Sequence, residues 1–519
     1  NHTHRMSTEV AMMQNLGSNP RHTFESLLDE AKIKLKADPQ NGMKHGEIDK
    51  QAHRAVSMYN TLDANTRAID STLGNVMGGL RALMVSSKLG STTLTTFGDH
   101  ASMKKMANML GLSYTKSILP EYMKQLKQGS TRDEALRFGL GIGEMAGSMT
   151  RFGDADIVSS ATKSGRFNAR MQAFAAMTMK LSGLNAVTAG AKRAFNLVHM
   201  NKLAELTRKT DWKDLGADDL KILQGNGITE RDWQLWQQLE PSKREDGTAV
   251  LTQNDFFNAS DDVIKQFLPE DKHNSTSAIA DFRYKAAMKY QTHLFNEESV
   301  AIIEAGVRER SIINLGEAGT IQGELGRTLF QFKGFPLAYM FRIGHRAFAQ
   351  GDIKSRVTFL VSLLAYQTLA GALIVQTQNL ANGKNPEPVF TMDFFGKSIL
   401  KGGGLSFLGD IMSSLSDPTG RSASDFISGP LIGQSMKLGM LLTGMGNNII
   451  EGKESTRMME ISNNLKGNIP LQSVWWGKLV ADRMLYSKWQ NMIDPDYLPR
   501  TQQRLENLGN SYWWDLSEE

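Results

Sequence analysis

The chain has 519 residues, with 59 Lys and Arg, 54 Asp and Glu, a formal net charge of +5 and no Cys. This length exceeds that of one ordinary domain, and a composition that is 40% hydrophobic and 22% charged excludes a wholly disordered chain. The lack of Cys excludes disulfides, thiolate catalysis and Cys-based zinc sites.

The positive charge lies mainly in the first part of the chain. Residues 1–205 carry 26 basic and 17 acidic residues (+9), residues 206–272 carry 9 and 14 (−5), and the remainder is nearly neutral at +1. A basic region can face DNA or anionic lipid, although scattered charge is also typical of a solvated surface. Four basic residues are the DNA-contact candidates: Lys180, Lys192, Arg193 and Lys202.

The chain begins at Asn1 without an initiator Met and without a signal peptide. We expect a fragment of a longer chain, the alternative being a true start at Met6.

Helical periodicity is the main structural signal. Apolar residues recur at spacings of three and four over Phe167, Met171, Phe174, Met177, Leu181 and Leu184, which predicts one face of an α-helix. A second helix is predicted from about Asp281. Sustained alternation of apolar and polar residues is lacking, so we predict an all-α fold with long amphipathic helices and very little sheet.

Residues 206–275 are predicted to form a small acidic helical insertion. Gly225-Asn226-Gly227 and Glu245-Asp246-Gly247 are turn signals. Trp233, Trp236 and Leu239 follow at intervals of three, which predicts a short helix, and Thr229 with Asp232 resembles a capping box.

No charged residue occurs over residues 357–383, and residues 357–375 form a 19-residue apolar run. That length suits either a membrane-spanning helix or a fully buried helix of a bundle. Gln367 favours the buried alternative, because a polar group in lipid costs free energy. Ala370, Gly371 and Ala372 permit close helix packing in both cases. The membrane-contact candidates in this run are Val357, Phe359, Leu360, Leu363, Leu364, Leu369, Leu373 and Ile374.

Glycine-rich stretches after this run predict broken helical hairpins. Farther on, aromatic residues lie beside Lys and Arg, a combination used by helices at a membrane surface. Stacking on single-stranded nucleic acid and packing against a neighbouring helix are the alternatives. The aromatic membrane-contact candidates are Trp475, Trp476, Trp513 and Trp514.

Patterns for catalysis are weak. Residues 141–146 match a dinucleotide fingerprint but lack the strand that should precede it, and His2 and His4 make a poor metal site. Glu298-Ser299 superficially fits the start of a lytic transglycosylase motif, whose later elements are missing. We interpret Glu298 as an exposed residue of an amphipathic helix. We therefore predict no catalytic residue, cofactor or metal.

Four stretches in order along residues 225–519 resemble one group of proteins. They are Gly227-Ile228-Thr229-Glu230-Arg231-Asp232-Trp233; Leu329-Phe330-Gln331-Phe332-Lys333-Gly334-Phe335-Pro336; the glycine-rich residues 400–410; and an ending with Ala481-Asp482-Arg483, Asp494-Pro495-Asp496-Tyr497-Leu498 and Tyr512-Trp513-Trp514. In these stretches the chain is similar to the internal virion, or DNA-ejection, proteins of short-tailed bacteriophages.

The resemblance implies a structural, non-enzymatic protein of the virion interior. Such a protein would be released during infection and would form a homo-oligomeric conduit across the host periplasm and inner membrane. Its implied partners are further copies of itself, other internal virion proteins, the portal and tail, the host inner membrane and viral double-stranded DNA bound without sequence preference. Alternatives are a soluble capsid-core or portal-associated scaffold and a piece of a longer chain that carries a peptidoglycan-cleaving module.

The predicted organisation has four regions. Residues 1–205 are basic and helical, residues 206–275 form the acidic insertion, and residues 276–350 contain long helices. Residues 351–519 form an apolar, glycine-rich, membrane-proximal region with an aromatic and basic C-terminus.

Overall fold

The computed structural model describes residues 2–38, 42–62, 70–127, 130–140, 162–313, 316–403, 467–507 and 511. Apart from one small hairpin, regular structure in these ranges is helical, which confirms the predicted all-α fold. Residues 141–146, residues 404–410 of the glycine-rich stretch and residues 512–514 lie outside these ranges.

Residues 2–209, in the ranges that the structure describes, contain nine α-helices. They are α1 (His2–Leu16), α2 (Pro20–Ala37), α3 (His45–Leu62), α4 (Ser71–Lys88), α5 (Phe97–Met109), α6 (Leu119–Leu126), α7 (Ser130–Arg137), α8 (Lys163–Leu181) and α9 (Leu184–Lys209). A 3-10 helix, Leu89–Thr96, joins α4 to α5, and one π-helical turn, Tyr114–Ile118, precedes α6.

The acidic segment is made of short elements. They are a 3-10 turn (Trp212–Asp214), α10 (Ala217–Gly225), α11 (Glu230–Gln238), β1 (Ser242–Lys243), β2 (Ala249–Val250), α12 (Gln253–Phe257), α13 (Asp261–Lys265) and a 3-10 turn (Glu270–Lys272). The predicted Trp helix is confirmed as α11, and Thr229 and Asp232 form its capping box. The strands β1 and β2 pair antiparallel around the predicted turn at Gly247.

Longer helices follow. They are α14 (Thr276–Ala301), α15 (Val307–Ile313), α16 (Ile321–Leu329), α17 (Gly334–Phe348), α18 (Ile353–Ala381) and α19 (Met392–Lys401). The last described part contains α20 (Trp475–Ala481), a π-helical turn (Asp482–Tyr486), α21 (Ser487–Ile493) and α22 (Tyr497–Asn507).

The helix predicted from Phe167 differs from the structure in its end and in its buried face. Gly183 adopts a left-handed φ of +80° and separates α8 from α9. Phe174, Met177 and Leu181 are exposed, and α8 instead buries its smaller residues, including Ala175, against α4. A Cβ on Gly79 of α4 would lie 2.5 Å from the Phe167 ring, so this ring of α8 packs directly on α4 at the glycine.

Helix α9 lies between two hydrophobic clusters. One contains Leu203 of α9 with Trp233, Trp236 and Tyr290, so the acidic segment shares its core with α9 and α14. The other contains Phe195 of α9 with residues from α5, α6, α14, α17 and α18. A third, smaller cluster lies between α4 and α8.

A buried charged network joins the β-hairpin to α6 and α7. The Arg244 guanidinium donates to both carboxylate oxygens of Glu121, at 3.0 and 3.1 Å, and twice to Glu134, at 3.0 and 3.1 Å. Gln125 donates to Glu121, and Arg193 of α9 donates to Gln125. All three members of the ion-paired triad are nearly inaccessible to solvent, so each charge depends on its partners.

Replacing Arg244 with Met should therefore lower the free energy of unfolding by about 3–5 kcal/mol, because two buried carboxylates would lose their counter-charge. The control is Arg137→Met in the exposed Arg137–Glu245 pair, 2.8 Å long, where the loss should be at most about 1 kcal/mol. Urea denaturation measures both. Equal losses in the two variants would contradict a structural role for the network.

Two imidazoles meet inside the core between α9 and α14. The rings of His199 and His293 are 5.2 Å apart, and neither ring nitrogen of His293 has a hydrogen-bond partner among the described residues. Burial lowers the pKa of His293 to about 4, with Glu297 raising it and Arg346 lowering it. Burial also holds the pKa of His199 well below its usual value. Both side chains are therefore neutral in the folded protein at pH 7.

Stability should fall as the pH drops from about 6.5 toward 4, because the unfolded chain then binds protons that the folded core excludes. His293 alone should account for about 2 kcal/mol between pH 7 and pH 5. His293→Phe should flatten the dependence of the urea midpoint on pH, whereas His53→Phe, at an exposed position, should not. Identical pH profiles for wild type and His293→Phe would refute the assignment.

Candidate membrane-contact surface

Helix α18 contains the apolar run and is the central element of the candidate site. Asp352 caps its start by accepting a hydrogen bond from the Ser355 backbone. One face packs on α5 and α19 and buries Phe359, Leu363, Gln367, Ala370, Gly371, Ile374 and Val375. Gln367 points into the protein, where its Nε2 donates to the Tyr339 hydroxyl at 2.7 Å. The Gln367 side chain, which favoured the buried alternative, therefore has its hydrogen-bond partner inside the protein and does not lie on the outer face.

The opposite face of α18 carries an apolar strip without a partner among the described residues. We call this strip the outer stripe: Ile353, Val357, Leu360, Val361, Leu369 and Leu373, with exposed fractions of 48–78%. Ile353 and Leu373 are 20 positions apart, or about 30 Å along a helix. That distance matches the hydrocarbon thickness of a bilayer, also about 30 Å.

The eight membrane-contact candidates on α18 divide between its two faces. Val357, Leu360, Leu369 and Leu373 belong to the outer stripe, and Leu364 is half-buried at its edge. Phe359, Leu363 and Ile374 are buried against protein, so their predicted lipid contact is wrong for this conformation. The sequence analysis did not name Ile353 and Val361 of the outer stripe. The recurrence of apolar residues at intervals of four or eight, at positions 353, 357, 361, 369 and 373, could have identified them.

Two glycines permit an unusually close approach of α18 and α19, which run antiparallel as a helical hairpin. A Cβ on Gly371 would lie 1.8 Å from the Ser398 carbonyl oxygen, and one on Gly402 would lie 1.9 Å from the Gln367 carbonyl oxygen. Close packing at Gly371 is therefore confirmed. The backbone of each helix occupies the space that a side chain of the other would need.

Gly371→Ala should reduce the free energy of unfolding by about 1–3 kcal/mol through overpacking. Gly396→Ala, on α19 with open space around its Cα, should raise it by about 0.5–1 kcal/mol because Ala favours a helix. Urea denaturation of the two variants provides the comparison. A stabilising effect at position 371 would show that the helices are farther apart.

The turn of this hairpin bears a second apolar surface that periodicity did not indicate. Val389, Phe390, Met392 and Phe395 are 51%, 100%, 85% and 51% exposed. The charges near them are largely compensated, since the Lys397 ammonium lies 2.9 Å from Glu387 and 2.7 Å from Asp393. These four residues form a second exposed apolar surface between the end of α18 and the first turn of α19.

The two described tryptophan candidates anchor α20 to the end of α8. Trp475 donates through Nε1 to the Ser182 carbonyl at 3.0 Å, and Trp476 donates to the Leu181 carbonyl at 2.9 Å. Trp475 is partly buried, whereas 57% of Trp476 is exposed. Trp513 and Trp514 lie outside the described residues.

Three of the four DNA-contact candidates have internal partners. Lys192 lies 3.2 Å from Glu298 and 2.8 Å from Glu304, and Lys202 pairs with Asp219 and the Leu110 carbonyl. Arg193 is buried and donates to Gln125. The prediction that these three residues contact DNA is wrong in this conformation, because each side chain is bound to a partner within the protein.

Lys180 is the exposed member of the four. It therefore stays a DNA-contact candidate on the surface of α8.

Glu298 is not the exposed residue that we expected. One carboxylate oxygen faces Lys192 at 3.2 Å and the other accepts from Asn196 at 2.5 Å, with 13% of the side chain accessible. Burial lowers the pKa of Lys192, but Glu298 and Glu304 outweigh that effect, and the pKa is raised. The arrangement ties α14 to α9 and accounts for Glu298 without a catalytic role.

Two ammonium groups from α5 lie beside the middle of α18. Lys105 Nζ is 2.6 Å from Ser362 Oγ and 4.9 Å from the Phe359 ring centroid, and Lys104 Nζ is 4.2 Å from the Tyr366 ring centroid. Lipid cannot surround α18 while these charges stay in place, because charged groups are costly in hydrocarbon. In this arrangement only the outer stripe is available to a bilayer.

Within the described ranges, α18 is the one helix long and apolar enough to cross a membrane, judged by length and composition. Side-chain groups able to hold a metal ion are not found in the same ranges. No protein-family model, curated protein or solved structure matches the chain.

Proposed function

We propose that this protein is a structural, non-enzymatic internal virion protein of a tailed bacteriophage. It assembles with further copies of itself into a conduit that delivers the viral genome across the host periplasm and inner membrane. Four stretches that resemble the phage ejection proteins occur in order over residues 225–519, and they support the phage assignment. Other internal virion proteins, the portal and tail, and double-stranded DNA are the further proposed partners.

The observation that carries the membrane part of the proposal is the outer stripe. It is apolar over about 30 Å, and its residues contribute little to packing within the described part of the chain. An apolar surface of this kind is typical of a site for membrane or protein contact. The apolar residues at 389–395 are a second exposed surface of the same kind.

The position of α5 sets the order of events in this proposal. The outer stripe first lies on the membrane, with Lys104 and Lys105 still beside α18. Full insertion follows only after α5 leaves α18, because its two ammonium groups would otherwise enter the hydrocarbon layer.

A liposome experiment tests the stripe. Wild-type protein should float with anionic liposomes and release enclosed dyes up to a sharp size limit. Val361→Asp with Leu369→Asp should abolish flotation, since a central charge costs about 2.5–3.5 kcal/mol in a bilayer. These positions are 60% and 66% exposed, so the fold should be retained.

The matched control is Leu27→Asp with Ile33→Asp on α2, where the residues are 53% and 69% exposed. This control should float like wild type. Equal flotation of both double variants would contradict the role of the outer stripe.

A crosslink adds a test of the order of events. Because the chain has no Cys, Lys105→Cys with Ser362→Cys can be joined by a short bismaleimide without side reactions. The crosslinked protein should still float but should not release dye, and unreacted protein should do both. Dye release by the crosslinked form would show that α5 need not leave α18.

The soluble scaffold is the second candidate, favoured by the packing of one face of α18 on α5 and α19. In that case another copy of the chain covers the outer stripe. Wild type would then oligomerise without floating, and Val361→Asp with Leu369→Asp would make it monomeric.

A further inference from the structure

A cavity of about 410 Å³ lies beside the α18–α19 hairpin, between α4, α8 and the segment that leads into α17. Its size is within the range of about 300–1,000 Å³ that is usual for small-molecule sites. Part of its wall is formed by residues between 330 and 336 of this chain, within the second stretch that resembles the phage proteins. The membrane and oligomer roles proposed above do not use this cavity.

Most of the cavity wall is apolar. Helices α4 and α8 contribute Val85, Ala175 and Met179, while Phe332 lies just before α17 and Phe335 in its first turn. Phe332 has a φ of +69°, an unfavourable conformation for a residue with a Cβ, which surrounding packing must hold in place. This wall suits a hydrocarbon chain.

One buried acceptor in the wall has no partner. Gln331 is only 8% exposed, and its Nε2 donates to the Arg81 carbonyl at 2.8 Å. Its Oε1 is buried without a hydrogen-bond partner within the described part of the chain. The Nε2 hydrogen bond ties that part of the wall to α4, and the Oε1 atom is inaccessible to solvent and so does not face the open cavity.

The charges in the lining are predominantly basic. Arg81, Arg327, Arg310 and Lys401 lie in the wall, against the acidic Asp99 and Glu304. Arg81 and Arg327 share one carboxylate, that of Glu324, while Glu304 already pairs with Lys192. Arg310 donates through Nε to the Gly306 carbonyl.

Lys401 is an exposed residue of the lining, so the wall of the cavity includes the protein surface at this position. Ala176 of α8 is also exposed in the lining. A headgroup can therefore lie beside Lys401 while its chain occupies the apolar interior.

We propose that this cavity binds the acyl chain of a single-chain anionic amphiphile, with its headgroup beside Lys401 and Arg310. A fatty acid and a lysophospholipid share this chemistry. The two differ in their headgroup, which is a carboxylate in the fatty acid and a phosphate on glycerol in a lysophosphatidate.

Binding to the purified full-length chain tests the proposal, with probes kept below their micelle concentrations. Cis-parinarate serves as the fluorescent acyl probe, and palmitate, palmitoyl lysophosphatidate and hexadecanol compete with it. Wild type should bind one probe saturably. Tighter competition by lysophosphatidate than by palmitate would assign the lysophospholipid, and the reverse would assign the fatty acid.

Ala176→Trp, which places a large side chain at the opening, should weaken binding about tenfold or more. Ala173→Trp is the matched control, on an exposed position of the same helix outside the lining, and should bind like wild type. Circular dichroism should show equal helicity for both variants. Lys401→Gln should weaken binding of the two anions several-fold and leave hexadecanol unchanged.

Three results would overturn the proposal. One is the lack of saturable binding by wild type. Another is equal binding by Ala176→Trp and Ala173→Trp, which would locate the probe elsewhere. The last is equal weakening of hexadecanol and the anions by Lys401→Gln, which would remove the anionic headgroup. Val361→Asp with Leu369→Asp should bind the probe normally, so failure of the membrane role is distinguishable from failure of this one.

Discussion

Helix α9 lies between two hydrophobic clusters, and its polar side chains are therefore separated from water over most of their surroundings. A charge in such a place is tolerated only beside a counter-charge or a set of hydrogen-bond partners. Arg193 reaches the Gln125–Glu121–Arg244 network, Lys192 reaches Glu298 and Glu304, and Lys202 reaches Asp219. These pairings connect α9 to α6, α10, α14 and the β-hairpin. The same desolvation keeps His199 and His293 neutral.

Helix α18 shows the opposite arrangement, because it exposes apolar side chains where α9 buries polar ones. Its sequence is largely apolar from Val357 onward, yet the described structure covers only one of its faces. The covered face holds the polar Gln367, which has its own partner in Tyr339, and the helix carries no charge after Arg356. A helix of this kind can change its surroundings without breaking a buried polar contact on its outer side. This property is what a protein needs if it meets water, protein and lipid in turn.

Close helix pairs give the fold its local rigidity. In the α4–α8 pair, the contact at Gly79 leaves no space for a side chain, and the same is true of the α18–α19 pair at Gly371 and Gly402. Such contacts depend on the lack of a Cβ on one helix, which lets a ring or the backbone of the other helix come close. Ala175 and Met179 of α8 are buried in the same α4–α8 contact, while Phe174 and Met177 are exposed. They also place Gly402 and the end of α19 at the wall of the cavity beside α4 and α8.

The sequence was enough to predict the helical fold, the Trp233–Trp236 helix with its capping box and the long apolar helix, because these depend on local periodicity and turn residues. It also identified Gly371 as a close-packing position. It could not assign the faces of α8 and α18, since an apolar residue fits a core and an exposed stripe equally well. It could not identify the partners of Lys192, Arg193 and Lys202, which lie 17 to 112 positions away along the chain. Those answers came only from the tertiary structure. Burial and charge pairing depend on which distant segments meet, and local sequence patterns do not specify those contacts.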